Sequence, residues 1–165
     1  MKWSRCERPR ISGGSRPALH AALFVFLLST IALGGCATPM AEVGLTNGTL
    51  RPCPETPNCV LSLSTDEVHG IAPLTYEGDA AEGMRLLKAA MDRLPRTRIV
   101  TEEGRYLHVE FTTRIMRFVD DVEFLVAENG GRIDVRSASR VGYGDLGANR
   151  KRVEEIRAVL ADLSG

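Results

Sequence analysis

Apolar and polar positions recur with two different periods along this chain. Met84, Leu87, Met91 and Leu94 return every three or four residues, as do Leu146, Asn149, Val153, Ile156, Leu160 and Leu163. That spacing puts each set on one side of a helix. Asp79 followed by Glu82 predicts an N-cap with a capping-box acid, and Pro95 closes the first helix. Asp145 is the expected N-cap of the second. The methionine stripe reads as core packing rather than a ligand surface. Before the first helix, Ile71–Tyr76 is a short strand that Pro73 confines to an edge or a strand start.

Between the helices the period falls to two. Arg98–Glu102 and Arg105–Thr113 flank Glu103-Gly104, and Phe118–Glu128 and Gly131–Ala138 flank Asn129-Gly130. Asn-Gly is the strongest short hairpin signal, because both residues tolerate positive φ. Counting outward from it sets Val126 against Ile133, Phe124 against Val135 and Val122 against Ser137, one largely apolar face on both strands. The other face sets Glu123 against Arg136. Leu107, Val109 and Phe111 join the apolar face, leaving Tyr106, His108, Glu110 and Thr112 opposite. Pairing Val109 with Val122 aligns His108, Glu123 and Arg136 in one row and puts Glu110 against Asp121. The irregular turn Arg114–Arg117 leaves a two-residue shift open. The predicted order is β-α-β-β-β-β-α, an α+β fold: a twisted antiparallel sheet with two helices packed on one face.

The first 36 residues obey other rules. Lys2, Arg5, Arg8, Arg10 and Arg16 precede the uncharged run Ala21–Leu33, then Gly34-Gly35 and Cys36. A basic start, a short apolar stretch and small residues before a cysteine resemble a bacterial lipoprotein signal. The run falls short of the about 20 apolar residues a spanning helix needs. An uncleaved anchor with an incidental cysteine is the competing interpretation. Residues 1–35 are therefore expected to be a signal peptide, Cys36 the lipidation site, 36–50 a lipidated tether and 51–165 a single domain. Without an Arg-Arg pair the general secretory route is expected. Ala37 after the cysteine favours the outer membrane in the enterobacterial lipoproteins this segment resembles. Acyl chains make the membrane the expected partner and the periplasmic side of the cell envelope the expected location.

The whole chain carries 21 basic and 21 acidic residues; the first 36 hold five and one of them, so the remainder has a net charge of −4. That argues against nucleic-acid binding. Cys53 and Cys59 remain once Cys6 and Cys36 are assigned to the signal and the lipid. In an oxidising compartment they are expected to form a disulfide staple: a six-residue separation, stiffened by Pro54 and Pro57, is not a Cys-x-x-Cys redox motif. Closing so small a loop contributes on the order of 2 kcal/mol.

Three segments carry a family resemblance: Cys53-Pro-x-x-Pro-Asn-Cys-Val60, Arg117-Phe-Val-Asp-Asp-Val-Glu-Phe124, and Arg136-Ser-Ala-Ser-Arg-Val-Gly-Tyr-Gly-Asp-Leu-Gly-Ala-Asn-Arg150. Together they resemble the family called domain of unknown function 1499, over about Cys53–Leu163. Leu61 before Ser62 departs slightly from its pattern. The resemblance implies a small bacterial or plastid-related protein, often exported or membrane-attached, with no established reaction. It carries over Asp120, Asp121, Glu123, Arg136, Ser137, Ser139, Arg140, Asp145, Asn149 and Arg150 as family positions.

Those positions have two physical interpretations. Arg150, Lys151 and Arg152 crowd the start of the last helix, where the macrodipole disfavours cations. Asp145, Asp120 or a bound anion would compensate. One interpretation is an internal salt-bridge network locking that helix to the sheet, with Ser137 and Ser139 bonding backbone. The other gathers Arg136, Arg140 and Arg150 around a small anionic or polar ligand. His108, Glu110, Asp121 and Glu123 on one strand face suggest a metal or acid/base site, but a solvated strand face has the same appearance and no third well-spaced ligand is present. No cofactor or metal is expected, and the serines lack a nucleophile elbow. A non-catalytic binding or support module of the envelope is the favoured expectation. The alternative is a periplasmic enzyme using Asp121, Glu123 and His108.

Overall fold

The computed structural model describes residues 42–165; the signal segment, Cys36 and the start of the tether lie outside the described residues. Eight strands and two helices follow in the order β1 (Leu45–Thr46), β2 (Thr49–Leu50), β3 (Cys59–Leu61), β4 (Leu74–Thr75), α1 (Ala80–Arg93), β5 (Thr97–Glu103), β6 (Tyr106–Thr112), β7 (Val119–Val126), β8 (Arg132–Ser139) and α2 (Ala148–Ser164). Strands β3-β8-β7-β6-β5 lie side by side, and β4 pairs further along β8. All these pairings are antiparallel. From β4 onward this is the α+β order that the two periods predict.

The register follows the hydrophobic pattern. Val126 pairs with Ile133, Phe124 with Val135 and Val122 with Ser137. Across β6 and β7, Val109 pairs with Val122, which excludes the two-residue shift and aligns His108, Glu123 and Arg136. A one-residue slip would move every apolar side chain to the wrong face. In β5 the ladder breaks register between Ile99 and Thr101, with Val100 as the extra residue.

Both helices cover the apolar face. Met84, Leu86, Leu87, Ala90 and Met91 of α1 and Val153, Ile156 and Leu160 of α2 pack with Leu107, Val109, Val122, Phe124, Ile133 and Val135. Each large side chain buried there contributes roughly 1.5–3 kcal/mol. Asp79 caps α1 by accepting from the Glu82 amide at 2.9 Å. Glu82 itself pairs with Arg85 at 2.6 Å. At the other end, the Met91 carbonyl accepts from the Leu94 amide at 3.2 Å and from the Thr97 hydroxyl at 3.0 Å, which ties the last turn to the start of β5.

Several expectations need correction. Residues 45–50, read as tether, form the β1–β2 hairpin, and Leu50 is buried. Strand β3 is an addition: three consecutive buried residues show no alternation to detect. Between β7 and β8 the positive φ falls on Gly130 and Gly131 rather than on Asn129. A Cβ on Gly130 would lie 2.2 Å from the Gly78 carbonyl oxygen, so the turn presses against the chain entering α1. Between β5 and β6, Glu103 pairs with Tyr106, and Gly104-Arg105 make the turn. The N-cap position of α2 is Gly147, at φ 80°. Leu146 is fully exposed rather than part of the buried stripe.

Candidate functional site

Alternation along β6, β7 and β8 divides the polar residues between two faces of the sheet. On the face away from the helices, β1–β2 and the Cys53–Cys59 loop cover what the sequence presents as a solvated surface. Leu50, Leu61 and Tyr106 pack there with Cys53 and Leu125. Cys53 and Cys59 form the expected disulfide. Under this cover Glu123 is fully buried and accepts from Arg136 Nη1 at 2.5 Å, Tyr106 Oη at 2.8 Å and the Gly44 amide at 2.6 Å. Burial, then the Glu123 charge and hydrogen bond, push the Tyr106 phenol well above its ordinary range.

One residue pair along, Asp121 receives a fork from Arg140: Nε to Oδ2 at 2.8 Å and Nη2 to Oδ1 at 2.7 Å. His108 Nε2 stands 2.7 Å from Asp121 Oδ1. Burial alone would raise the Asp121 carboxyl, but Arg140 and His108 outweigh it and hold the group down at about 2. Arg140 also bonds Glu110 at 2.5 Å, and Arg98 reaches the other Glu110 oxygen at 2.7 Å. The hydrogen bond to Asp121 in turn raises the Arg140 guanidinium above its ordinary value. Among the described residues no group of three or more His, Cys, Asp or Glu side chains is arranged to hold a metal ion.

The helix face carries a second network. Asp120 pairs with Arg152, whose guanidinium lies 5.3 Å over the Phe111 ring. Arg152 Nη1 also donates to Asn149 Oδ1 at 2.5 Å and Ser137 Oγ at 3.0 Å. The Ser137 hydroxyl donates to Asn149 Oδ1 at 2.6 Å, and Asn149 Nδ2 donates to Ser139 Oγ at 2.9 Å and the Asn58 carbonyl at 2.8 Å. Asp145 accepts from the Gly147 amide at 2.9 Å and the Asn149 amide at 2.8 Å, so it satisfies the start of α2 from two residues before the N-cap. Asp145 and Asp120 thus supply the negative charge that the basic helix start requires.

The three arginines considered for an anion do not converge. Arg136 and Arg140 bond carboxylates on the outer face, whereas Arg150 donates to the Val68 carbonyl at 3.1 Å. Ser137 and Ser139 bond the Asn149 side chain rather than backbone. Sequence reasoning chose Arg150 where Arg152 holds the network. Helical spacing distinguishes them, because 152 falls with Asn149, Val153 and Ile156 on the buried stripe and 150 does not. Asn58 was also missed as a site residue. Its side chain donates to the Gly142 carbonyl at 2.7 Å and its backbone pairs with Ser139, joining the disulfide loop to the β8–α2 connection.

Two openings among the described residues flank the start of α2. A cavity of about 500 Å³ is lined by Phe118, Val141 and Leu146, with Asp120, Ser139 and Asp145 also along it. A neighbour of about 340 Å³ shares Thr113 and Ala148 with it and is lined by Arg96, Arg114, Lys151 and Arg152 beside one carboxylate, Glu155. The larger falls within the usual size of small-ligand sites.

No curated protein matches the chain. A family model described as Protein of unknown function (DUF1499) matches residues 49–160. That span runs from β2 to Leu160 of α2 and holds Asn58, the side chains of both networks and the loops around both cavities, and the chain belongs to the DUF1499 family.

Proposed function

We propose that this protein is an envelope lipoprotein, acylated on Cys36 and facing the periplasm, whose α+β domain is a non-catalytic binding or support module. Support for the location comes from the lipoprotein-like signal together with the Cys53–Cys59 disulfide, a bond that persists in oxidising compartments. The observation that carries the non-catalytic part is the internal pairing of the polar residues: Asp120 with Arg152, Asp121 with Arg140 and His108, and Glu123 with Arg136. The cavities beside the start of α2 are the places where a small polar ligand fits, and the outer membrane is the favoured anchor site.

The enzyme reading has one observation in its favour, the 2.7 Å contact of His108 with Asp121. Both groups are buried, and Asp121 is held as a carboxylate by Arg140, which suits a structural pair better than a proton-transfer pair. Metabolic labelling with an alkyne fatty acid tests the proposal. The native chain takes up label and the Cys36→Ser variant does not; label retained by the variant overturns it. Turnover of a substrate that is lost in Glu123→Gln would favour the enzyme instead.

A further inference from the structure

Two loops meet at the end of the sheet beside the start of α2. The β6–β7 loop exposes Ile115 (85%), Met116 and Phe118, and the β8–α2 loop exposes Val141, Tyr143 (75%) and Leu146 (106%). They are neighbours, since Phe118, Val141 and Leu146 line the same cavity. Leu146 has φ 53° and Arg117 φ 58°, a left-handed backbone that is uncommon outside glycine. The chain thus accepts an unfavourable conformation at the residue whose apolar side chain it presents most fully.

The charge around these tips is predominantly basic; Asp145 is the acid of the β8–α2 loop, and it accepts from the Gly147 and Asn149 amides. Arg114, Arg117 and Lys151 surround them and make no ion pair among the described residues. The loop Thr113–Phe118 contains no acid. The chain beyond Cys36 is net acidic at −4, so this basic, apolar end contrasts with the rest of the domain.

We infer that this end of the domain is a membrane-docking surface for anionic phospholipid, with Ile115, Met116, Tyr143 and Leu146 entering the headgroup–acyl boundary and Arg114, Arg117 and Lys151 meeting the headgroups. Projecting apolar tips ringed by cations match an interface in which apolar insertion and attraction to anionic lipid act together. The acidic remainder of the domain is repelled by the same surface, which sets the orientation. The inference rests on the anchored reading, because a tether raises the local concentration of a patch that binds weakly alone.

The full chain, with Trp3→Phe removing its one tryptophan, is purified with Tyr143→Trp or Glu128→Trp as the sole probe and mixed with vesicles. Glu128 lies in the β7–β8 turn, at the opposite end of those strands. On vesicles of phosphatidylcholine and phosphatidylglycerol, Tyr143→Trp emission moves to the blue and is quenched by brominated acyl chains several-fold more than Glu128→Trp. The effect weakens with added salt, on phosphatidylcholine alone, and in Arg114→Glu/Arg117→Glu. A membrane-bound protein whose Tyr143→Trp emission stays that of a water-exposed indole overturns the inference. So does shielding that grows with protein concentration before vesicles are added, which assigns the patch to a second copy. Flotation of native protein against Cys36→Ser reports the anchor separately. If neither floats, the anchored reading fails while quenching at high lipid concentration still decides docking.

Discussion

Asp121 shows how one carboxylate links packing to pH. Its folded value of about 2 lies below the ordinary 3.8, despite burial, because Arg140 and His108 favour the charged form. A depressed value means that its stabilisation is complete above about pH 4 and is lost as pH falls toward 2. The shift corresponds to about 2 kcal/mol. Urea unfolding between pH 5 and 2 should show this loss in the native protein, and Asp121→Asn should flatten the profile in that window. The Glu123–Arg136 pair lies deeper. Glu123→Ala leaves a buried guanidinium without its carboxylate and should destabilise by roughly 3–5 kcal/mol in the same measurement. The facing of Glu123 and Arg136 is legible in the sequence, since it follows from counting back from the hairpin turn. Their burial is not, because what covers them is β1–β2 and the disulfide loop, segments without periodicity.

Among the elements, α2 is held by more than its apolar stripe. Asn149 joins β8, the Asn58 carbonyl and Arg152, so Asn149→Ala leaves several polar groups unmatched at the helix–sheet contact. A loss of about 2–3 kcal/mol is expected, with amide exchange in α2 quickening ahead of that in β6 and β7. At the β7–β8 turn, Gly130→Ala meets the Gly78 carbonyl as well as a φ of 74°, and a loss on the order of 2 kcal/mol should appear as a lower thermal midpoint. Strong periods made α1, α2 and strands β5 to β8 readable. Strands of two or three residues are too short to show a period, so β1, β2 and β3 escape it, and β4 is marked only by the short apolar run around Pro73. Leu146 misled the helix reading because it matches the stripe by spacing but sits in the left-handed residue before the N-cap.

For the molecule as a whole, the disulfide joins the outer cover to the sheet through β3. Cys53→Ser/Cys59→Ser should lower stability by about 2 kcal/mol, measured by thermal unfolding with and without reductant; no sensitivity to reductant in the native protein would contradict the bond. The α+β architecture was readable because the apolar face of the strands needs both helices to cover it. The division of charge between two faces was partly readable from alternation, whereas the loop end became visible only once folding brought residues 113–118 and 141–146 together. Strand β5 forms the outer margin of the sheet, and there Val100 interrupts the ladder while Arg98, Glu102 and Glu103 line it. A margin both irregular and charged is a poor template for recruiting a strand from a neighbouring molecule. Copies crowded side by side should therefore stay separate rather than zip into continuous ribbons.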